Sequence, residues 1–264
     1  MLTTRYVTGS PNWIDVGTPD MEGATAFYQG LFGWQFQTAG PDAGGYGMMQ
    51  KDGGTVAGAM TVPPDQSSAA WSVYFQTGDA DATAKVVQLG GGKVELAPVD
   101  VMDMGRTAVF ADPEGARFAV WQPGTNKGLD VVGDPGSLCW AELYTPDEVA
   151  ATGFYGSVFG WETNTMPMPD GESTYRLVNP TGQGPDGMFA GLVPIGSDPT
   201  ETGSAPYWLL YFAVEDCDAA VARARSLGGS VRAEPVHVEG VGRFAKLADP
   251  YGAPFAVMQG EDLG

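Results

Sequence analysis

FYQGLFGW (27–34) and FYGSVFGW (154–161) are two copies of one segment, 127 residues apart. Working outward at the same offset, Trp13 lands on Trp140 and Asp20 on Asp147. Farther along the offset becomes 137: Trp71 lands on Trp208, Gly105-Arg106 on Gly242-Arg243, and Asp112-Pro113 on Asp249-Pro250. The second copy therefore carries ten extra residues, and the polar stretch SDPTETGS (197–204) takes most of them. Periods of this length mark duplicated architecture. Four tryptophans also open four similar segments, NWIDVGTPD (12–20), WSVYFQTGD (71–79), CWAELYTPD (139–147) and WLLYFAVED (208–216). Each copy is thus itself a duplication.

Local signals fill in the unit. Asp20–Phe32 and Asp147–Phe159 read as helices, with Thr18-Pro19 and Thr145-Pro146 offering an N-cap threonine and a first-turn proline. Thr145 and Glu148 fit a capping box. Phe27 and Leu31, like Phe154 and Val158, are four apart and share one stripe. Asp79–Leu89 and Asp216–Leu227 read as second helices, ended by Gly90-Gly91 and Gly228-Gly229. Short strands follow each helix, among them Gly47–Gln50, Val56–Met60, Thr107–Phe110 and Phe118–Trp121. The unit is strand–helix–strand–strand–strand, four times over. Residues 10–122 and 137–259 form two domains, and the Gly-, Pro- and Asp-rich stretch 123–136 is a linker.

The chain has 264 residues, 43% of them hydrophobic, enough for two small cores. Thirteen basic against 32 acidic residues leave a formal charge of −19. That argues against nucleic acid and anionic membrane surfaces, which need clustered Lys and Arg. No apolar run approaches a membrane span, and the first twelve residues carry no signal-peptide core. Two cysteines, Cys139 and Cys217, suit a reducing compartment. A cytoplasmic protein, monomeric or weakly dimeric, is expected.

Paired strand–helix–strand–strand–strand units, the FYxxxFGW helices and the turns DPEG (112–115) and DPYG (249–252) resemble the vicinal oxygen chelate superfamily. It contains glyoxalase I, extradiol dioxygenases and bleomycin-resistance proteins. The strand openings Trp13/Asp15, Trp140/Glu142, Trp71/Tyr74/Phe75 and Trp208/Tyr211/Phe212 resemble, more narrowly, two-domain actinobacterial members. Those are described as glyoxalase-like or hydroxylase and are associated with polyketide antibiotic clusters. The resemblance implies an α+β fold of two tandem domains, each a cupped mixed sheet.

It also implies metal-ligand positions near the first strand's start, near the start of the strand after the midpoint, and on the last strand. Here they hold Trp13, Trp71 and Ala119 in one domain and Trp140, Trp208 and Ala256 in the other. An indole N–H is a donor only and alanine has no donor atom. The one histidine, His237, is too few for a two-histidine site, and no motif marks a carboxylate-only site. No metal and no cofactor is expected, and glyoxalase or dioxygenase chemistry of the usual kind is excluded.

The four tryptophans then have two readings: core packing beneath a helix, or a stacking wall for a flat ligand. Asp15 and Glu142 share a strand face with Trp13 and Trp140. Against an aromatic wall each is a candidate general acid or base; at an open edge each is a solvated or arginine-paired carboxylate. His237, aligned with Asp100, is a third catalytic candidate or a plain surface residue. Tyr46 and Tyr175 offer phenols. Arg106 and Arg243 either bind an anionic or carbonyl group or pair with Asp112 and Asp249. Met48, Met49, Met102 and Met104 line a pocket or fill the core. No GxSxG elbow, P-loop, CxxC or dinucleotide fingerprint is present.

Three functions remain open. One is a metal-independent protein of secondary metabolism that binds a planar polyketide- or quinone-like molecule and assists hydroxylation, cyclisation or ring-opening, alone or beside a partner oxygenase or reductase. The second is an antibiotic-binding self-resistance protein without chemistry. The third is a binding module for another ligand.

Overall fold

The computed structural model describes residues 2–40, 43–63, 69–167 and 174–261. Four modules follow one another, each of one strand, one helix and three strands. The first is β1 (Pro11–Thr18), α1 (Met21–Phe32), β2 (Gln35–Thr38), β3 (Gly47–Lys51) and β4 (Gly54–Thr61). The second is β5 (Ala70–Gln76), α2 (Ala80–Leu89), β6 (Lys93–Val101), β7 (Gly105–Ala111) and β8 (Arg117–Pro123). The third is β9 (Leu138–Thr145), α3 (Glu148–Phe159), β10 (Glu162–Pro167), β11 (Thr174–Asn179) and β12 (Ala190–Pro194). The fourth is β13 (Tyr207–Ala213), α4 (Cys217–Ser226), β14 (Ser230–Val238), β15 (Gly242–Ala248) and β16 (Pro254–Gly260). The α+β class and the fourfold unit are as the sequence implied.

Within every module the first strand pairs in parallel with the fourth, and the other pairings are antiparallel. The parallel pair needs a crossover, which the helix and hairpin supply. Asp52 and Gly53, with φ of 51° and 84°, close the β3–β4 hairpin in the doubly left-handed turn that matches strand twist.

The helix caps correct one expectation. Asp20, not Thr18, caps α1, accepting from Gly23 N at 3.1 Å; Asp147, not Thr145, caps α3, accepting from Val149 N and Ala150 N at 2.9 Å. Thr18 and Thr145 are the last residues of β1 and β9, still extended, and their hydroxyls accept the N–H of the capping aspartate instead. The capping box fails for the same reason: Glu148 is the first helical residue, and its carboxylate meets Arg176 at 3.2 Å. α1 and α3 end on Gly33 and Gly160 in the left-handed region, where glycine meets no Cβ penalty.

Two compact units form, neither of them continuous in sequence. The first contains Met1–Trp13, Val73–Gly128 and Ala141–Trp208. Its α2 packs on α3, over a cluster of Phe75, Phe118, Tyr155, Phe159, Trp161 and Trp208. The second contains Ile14–Ser72, Leu129–Trp140 and Leu209–Gly264. Its α1 packs on α4, over Tyr28, Phe32, Trp34, Trp71, Phe212 and Phe255. Each buried ring removes roughly 150–250 Å² from water, so these clusters dominate the cores. The stretch read as a linker is pinned, not loose: Asp130 N donates to Thr55 O at 2.9 Å, and Trp34 Nε1 donates to Gly136 O at 2.7 Å. Among the described residues no helix is long and apolar enough to cross a membrane.

Candidate functional site

On β9 the side chains alternate. Ala141 and Leu143 are fully packed on one face; Glu142 and Tyr144 occupy the other. Tyr175, on β11, donates its hydroxyl to Glu142 Oε1 at 2.7 Å. Tyr144 donates to Oε2 of the same carboxylate at 2.9 Å, and its hydroxyl lies 3.3 Å from Asp198 Oδ2. Asp198 sits in the inserted stretch, its other oxygen held by the Thr200 N–H at 2.9 Å and hydroxyl at 2.7 Å. The Tyr144 ring stacks on Tyr207, centroids 5.5 Å apart and 17° between planes. Burial first, and then the charge of Glu142, pushes the Tyr144 phenol well above its ordinary pKa. Tyr144 is therefore a donor at neutral pH.

A glycine makes this possible. Gly191 on β12 pairs with Glu142 in register, and a Cβ there would lie 1.8 Å from Tyr175 Oη. The phenol passes over the glycine to reach the carboxylate. The same device recurs in the other unit. Gly58 pairs with Asp15, Tyr46 donates to Asp15 Oδ2 at 3.2 Å, and a Cβ on Gly58 would lie 2.0 Å from Tyr46 Oη. The copies differ beyond that core. Gly17 stands where the second copy has Tyr144, and Ala70 where it has Tyr207.

The tryptophans divide. Trp71 and Trp208 sit in the aromatic clusters, 8% and 4% exposed, which corrects their reading as cup wall. On β5 the alternation groups Trp71 with Val73 and Phe75, all buried, and leaves Ser72 and Tyr74 on the other face. Trp71 Nε1 donates to Tyr28 Oη at 3.0 Å, and Tyr28 donates to Asp249 at 3.1 Å. Trp208 Nε1 donates to Tyr155 Oη at 3.2 Å, and Tyr155 donates to Asp112 at 3.1 Å. Trp13 is buried and Trp140 half-buried, both on the strand faces that carry Asp15 and Glu142.

Arg106 and Arg243, read as candidates for a ligand's anionic group, are engaged at the surface. Arg106 bonds Asp81 of α2 at 3.0 Å and Asp100 at 2.7 Å; Arg243 bonds Asp218 of α4 at 2.7 Å. The pairing with Asp112 or Asp249 does not form, because those carboxylates are turned inward to tyrosines. Each arginine clamps a strand to the first turn of a helix. His237 lies on β14 with its side chain 56% exposed, 3.3 Å from Glu261, outside both acid–tyrosine couples. Met49 fills the core, Met102 is exposed, and Met48 and Met104 are half-buried.

The side chains do not fit the family's metal. Indoles and alanines fill the ligand positions, two of those indoles being committed to tyrosines, and among the described residues no three His, Cys, Asp or Glu side chains cluster. Sequence reasoning missed Tyr144, Asp198 and Tyr207. Their signal was departure from the repeat: Gly17 against Tyr144, Ala70 against Tyr207, and Asp198 inside the insertion.

Comparison with known proteins places the chain. It is 42% identical to the anthracycline biosynthesis protein DauV of Streptomyces sp. (strain C5), over 97% of this chain and 95% of that protein. It is 41% identical to the anthracycline biosynthesis protein DnrV of Streptomyces peucetius, with the same coverage. The Mn(II)-bound glyoxalase from Novosphingobium aromaticivorans shares the fold, with a TM-score of 0.63 at 17% identity, over 96% of this chain and 82% of that one. The glyoxalase/bleomycin resistance protein/dioxygenase family model matches residues 10–120 and 137–257. With both module pairs matched, the chain belongs to the glyoxalase/bleomycin resistance protein/dioxygenase superfamily.

Proposed function

We propose that this chain is a metal-independent protein of secondary metabolism that binds a planar, polyketide- or quinone-like aromatic molecule and assists its tailoring by acid–base chemistry. The carrying observation is the Glu142 carboxylate held between the phenols of Tyr175 and Tyr144, 2.7 and 2.9 Å away. A carboxylate fixed in this way is oriented to take a proton from a carbon beside a ligand carbonyl. The Tyr144 phenol, held protonated by burial, can turn its single O–H from the carboxylate to a developing oxyanion as Glu142 takes the proton. The Tyr144–Tyr207 stack adds a flat aromatic surface beside the acid. The similarity to two anthracycline biosynthesis proteins over nearly the whole chain supports the aromatic-polyketide class.

The test is incubation with a polycyclic aromatic ketone such as an anthracyclinone, with product analysis by mass spectrometry. Turnover that falls by about a hundredfold in Glu142→Gln, with binding kept, supports the reading, since positioned acid–base catalysis contributes about 10²–10⁴-fold. A ligand that binds and is recovered unchanged, with and without reduced nicotinamide or flavin, makes the protein a sequestering one instead. No binding removes both readings.

A further inference from the structure

We propose that Asp198 is the proton exit of the Glu142 site, reached through Tyr144; the proposal rests on the acid–base reading above. The Tyr144 oxygen lies between two carboxylates, 2.9 Å from Glu142 Oε2 and 3.3 Å from Asp198 Oδ2. A phenol carries one O–H and also accepts through its oxygen. Tyr144 therefore donates to one carboxylate at a time, and accepts from the other only when that one is protonated. Glu142 is protonated once it has taken a proton from a ligand carbon. The electron pair of the broken C–H bond stays on the ligand as an enolate, faced by the Tyr144 O–H. When the enolate has reacted or left, that O–H turns to Asp198. Glu142 then gives its proton to the Tyr144 oxygen while the Tyr144 O–H bond breaks toward Asp198 Oδ2. Glu142 is again a carboxylate, Tyr144 is again a phenol, and Asp198 passes one proton to water.

Burial and the charge of Glu142 hold the Tyr144 phenol well above its ordinary pKa, so the two transfers occur together and no phenolate stands between them. Asp198 is half-buried and is followed by exposed Pro199 and Thr200, so the chain of groups runs from the strand face to the surface. Thr200 fixes the Asp198 carboxylate through Oδ1, donating its N–H at 2.9 Å and its hydroxyl at 2.7 Å, and this orients Oδ2 toward the phenol. The first repeat is an internal control. Asp15 and Tyr46 reproduce Glu142 and Tyr175, yet Gly17 stands in place of Tyr144 and the inserted stretch that carries Asp198 is absent. The acid–tyrosine couple thus forms without Tyr144 and Asp198, and packing does not require them.

The test follows successive turnovers of the polycyclic aromatic ketone by rapid quench. In Asp198→Ala the first turnover is expected at the wild-type rate, because Glu142 starts as the carboxylate. Later turnovers are expected to slow by about tenfold or more, toward the roughly 10²–10⁴-fold that a positioned proton-transfer group contributes. Formate, a small carboxylate that takes the vacated place, is expected to restore them, which a purely structural role would not allow. Asp198→Asn, which keeps an acceptor for Thr200, is expected to slow the later turnovers likewise, and carries the test if the alanine variant does not fold. Later turnovers as fast as the first, a first turnover slowed as much as the later ones, or no rescue by formate overturns the proposal and leaves the acid–base reading in place. A wild type that does not turn the ketone over removes that reading and the proposal together.

Discussion

Tyr155 donates its hydroxyl to Asp112 Oδ2 at 3.1 Å while accepting the indole N–H of Trp208. Asp112 Oδ1 in turn takes the N–H groups of Glu114 and Ala116, at 3.0 and 2.9 Å, and so shapes the DPEG turn. Three sequence signatures, the strand-opening tryptophan, the FY helix and the DPxG turn, meet in one buried chain of hydrogen bonds. Trp71, Tyr28 and Asp249 build the same chain in the other unit.

Tyr155→Phe removes both bonds of the hydroxyl and leaves the indole and one carboxylate oxygen unmatched. A loss of about 1–3 kcal/mol is expected, the cost of leaving such buried groups unsatisfied. Tyr28→Phe is expected to cost about the same. Urea unfolding measures both; an unchanged midpoint for either would mean that the chain is geometrically present but energetically idle.

Burial, opposed by the hydrogen bonds each accepts, raises the carboxyls of Asp112 and Asp249 above their ordinary value of 3.8. A carboxyl raised in the folded state binds more protons folded than unfolded. Its contribution is complete below the ordinary carboxylate range and is lost as pH rises through the folded value. Asp20 and Asp218 shift the other way, held low by the Tyr251 hydroxyl and by Arg243. Their contribution is present above 3.8 and lost on acidification. The stability of Asp112→Asn/Asp249→Asn relative to wild type should therefore improve as pH rises from about 3.5 to about 6, just above the ordinary carboxylate range. Denaturation at several pH values checks the slope, and a flat or opposite one rejects the assignment.

Gly191→Ala should displace the Tyr175 ring and break its bond to Glu142. Overpacking of this kind costs about 1–3 kcal/mol. Tyr175→Ala in the same chain should recover part of that cost, because it removes the ring tip that the new methyl meets. A double-mutant cycle showing additivity would place the strain elsewhere.

Trp140 is half-buried and on the Glu142 face of β9, whereas Trp71 and Trp208 are spent on core tyrosines. Quenching of tryptophan emission by an aromatic ligand should therefore be largely lost in Trp140→Phe and retained in Trp71→Phe. Equal quenching in both variants would point to a ligand position away from β9.

Much of this protein was determined by its sequence alone. The duplication and the four strand–helix–strand–strand–strand modules followed from repeat offsets and local signals, because periodicity and turn chemistry act between near neighbours; the superfamily followed from the resemblance carried by the FYxxxFGW and DPxG segments. The poor fit to a family metal rested on the same resemblance, which supplies the ligand positions, and on the indoles and alanines that fill them. Tertiary structure decided the rest. Whether a strand residue faces the core or the opposite side turns on a register of one residue, so Trp71 and Trp13 could not be told apart until the pairing was known. The helix caps moved because β1 and β9 extend to the threonines and leave the aspartates to meet the free N–H groups. Tyr144, Asp198 and Tyr207 come together through β9, an inserted turn and the start of β13, a meeting of distant segments that no local pattern carries.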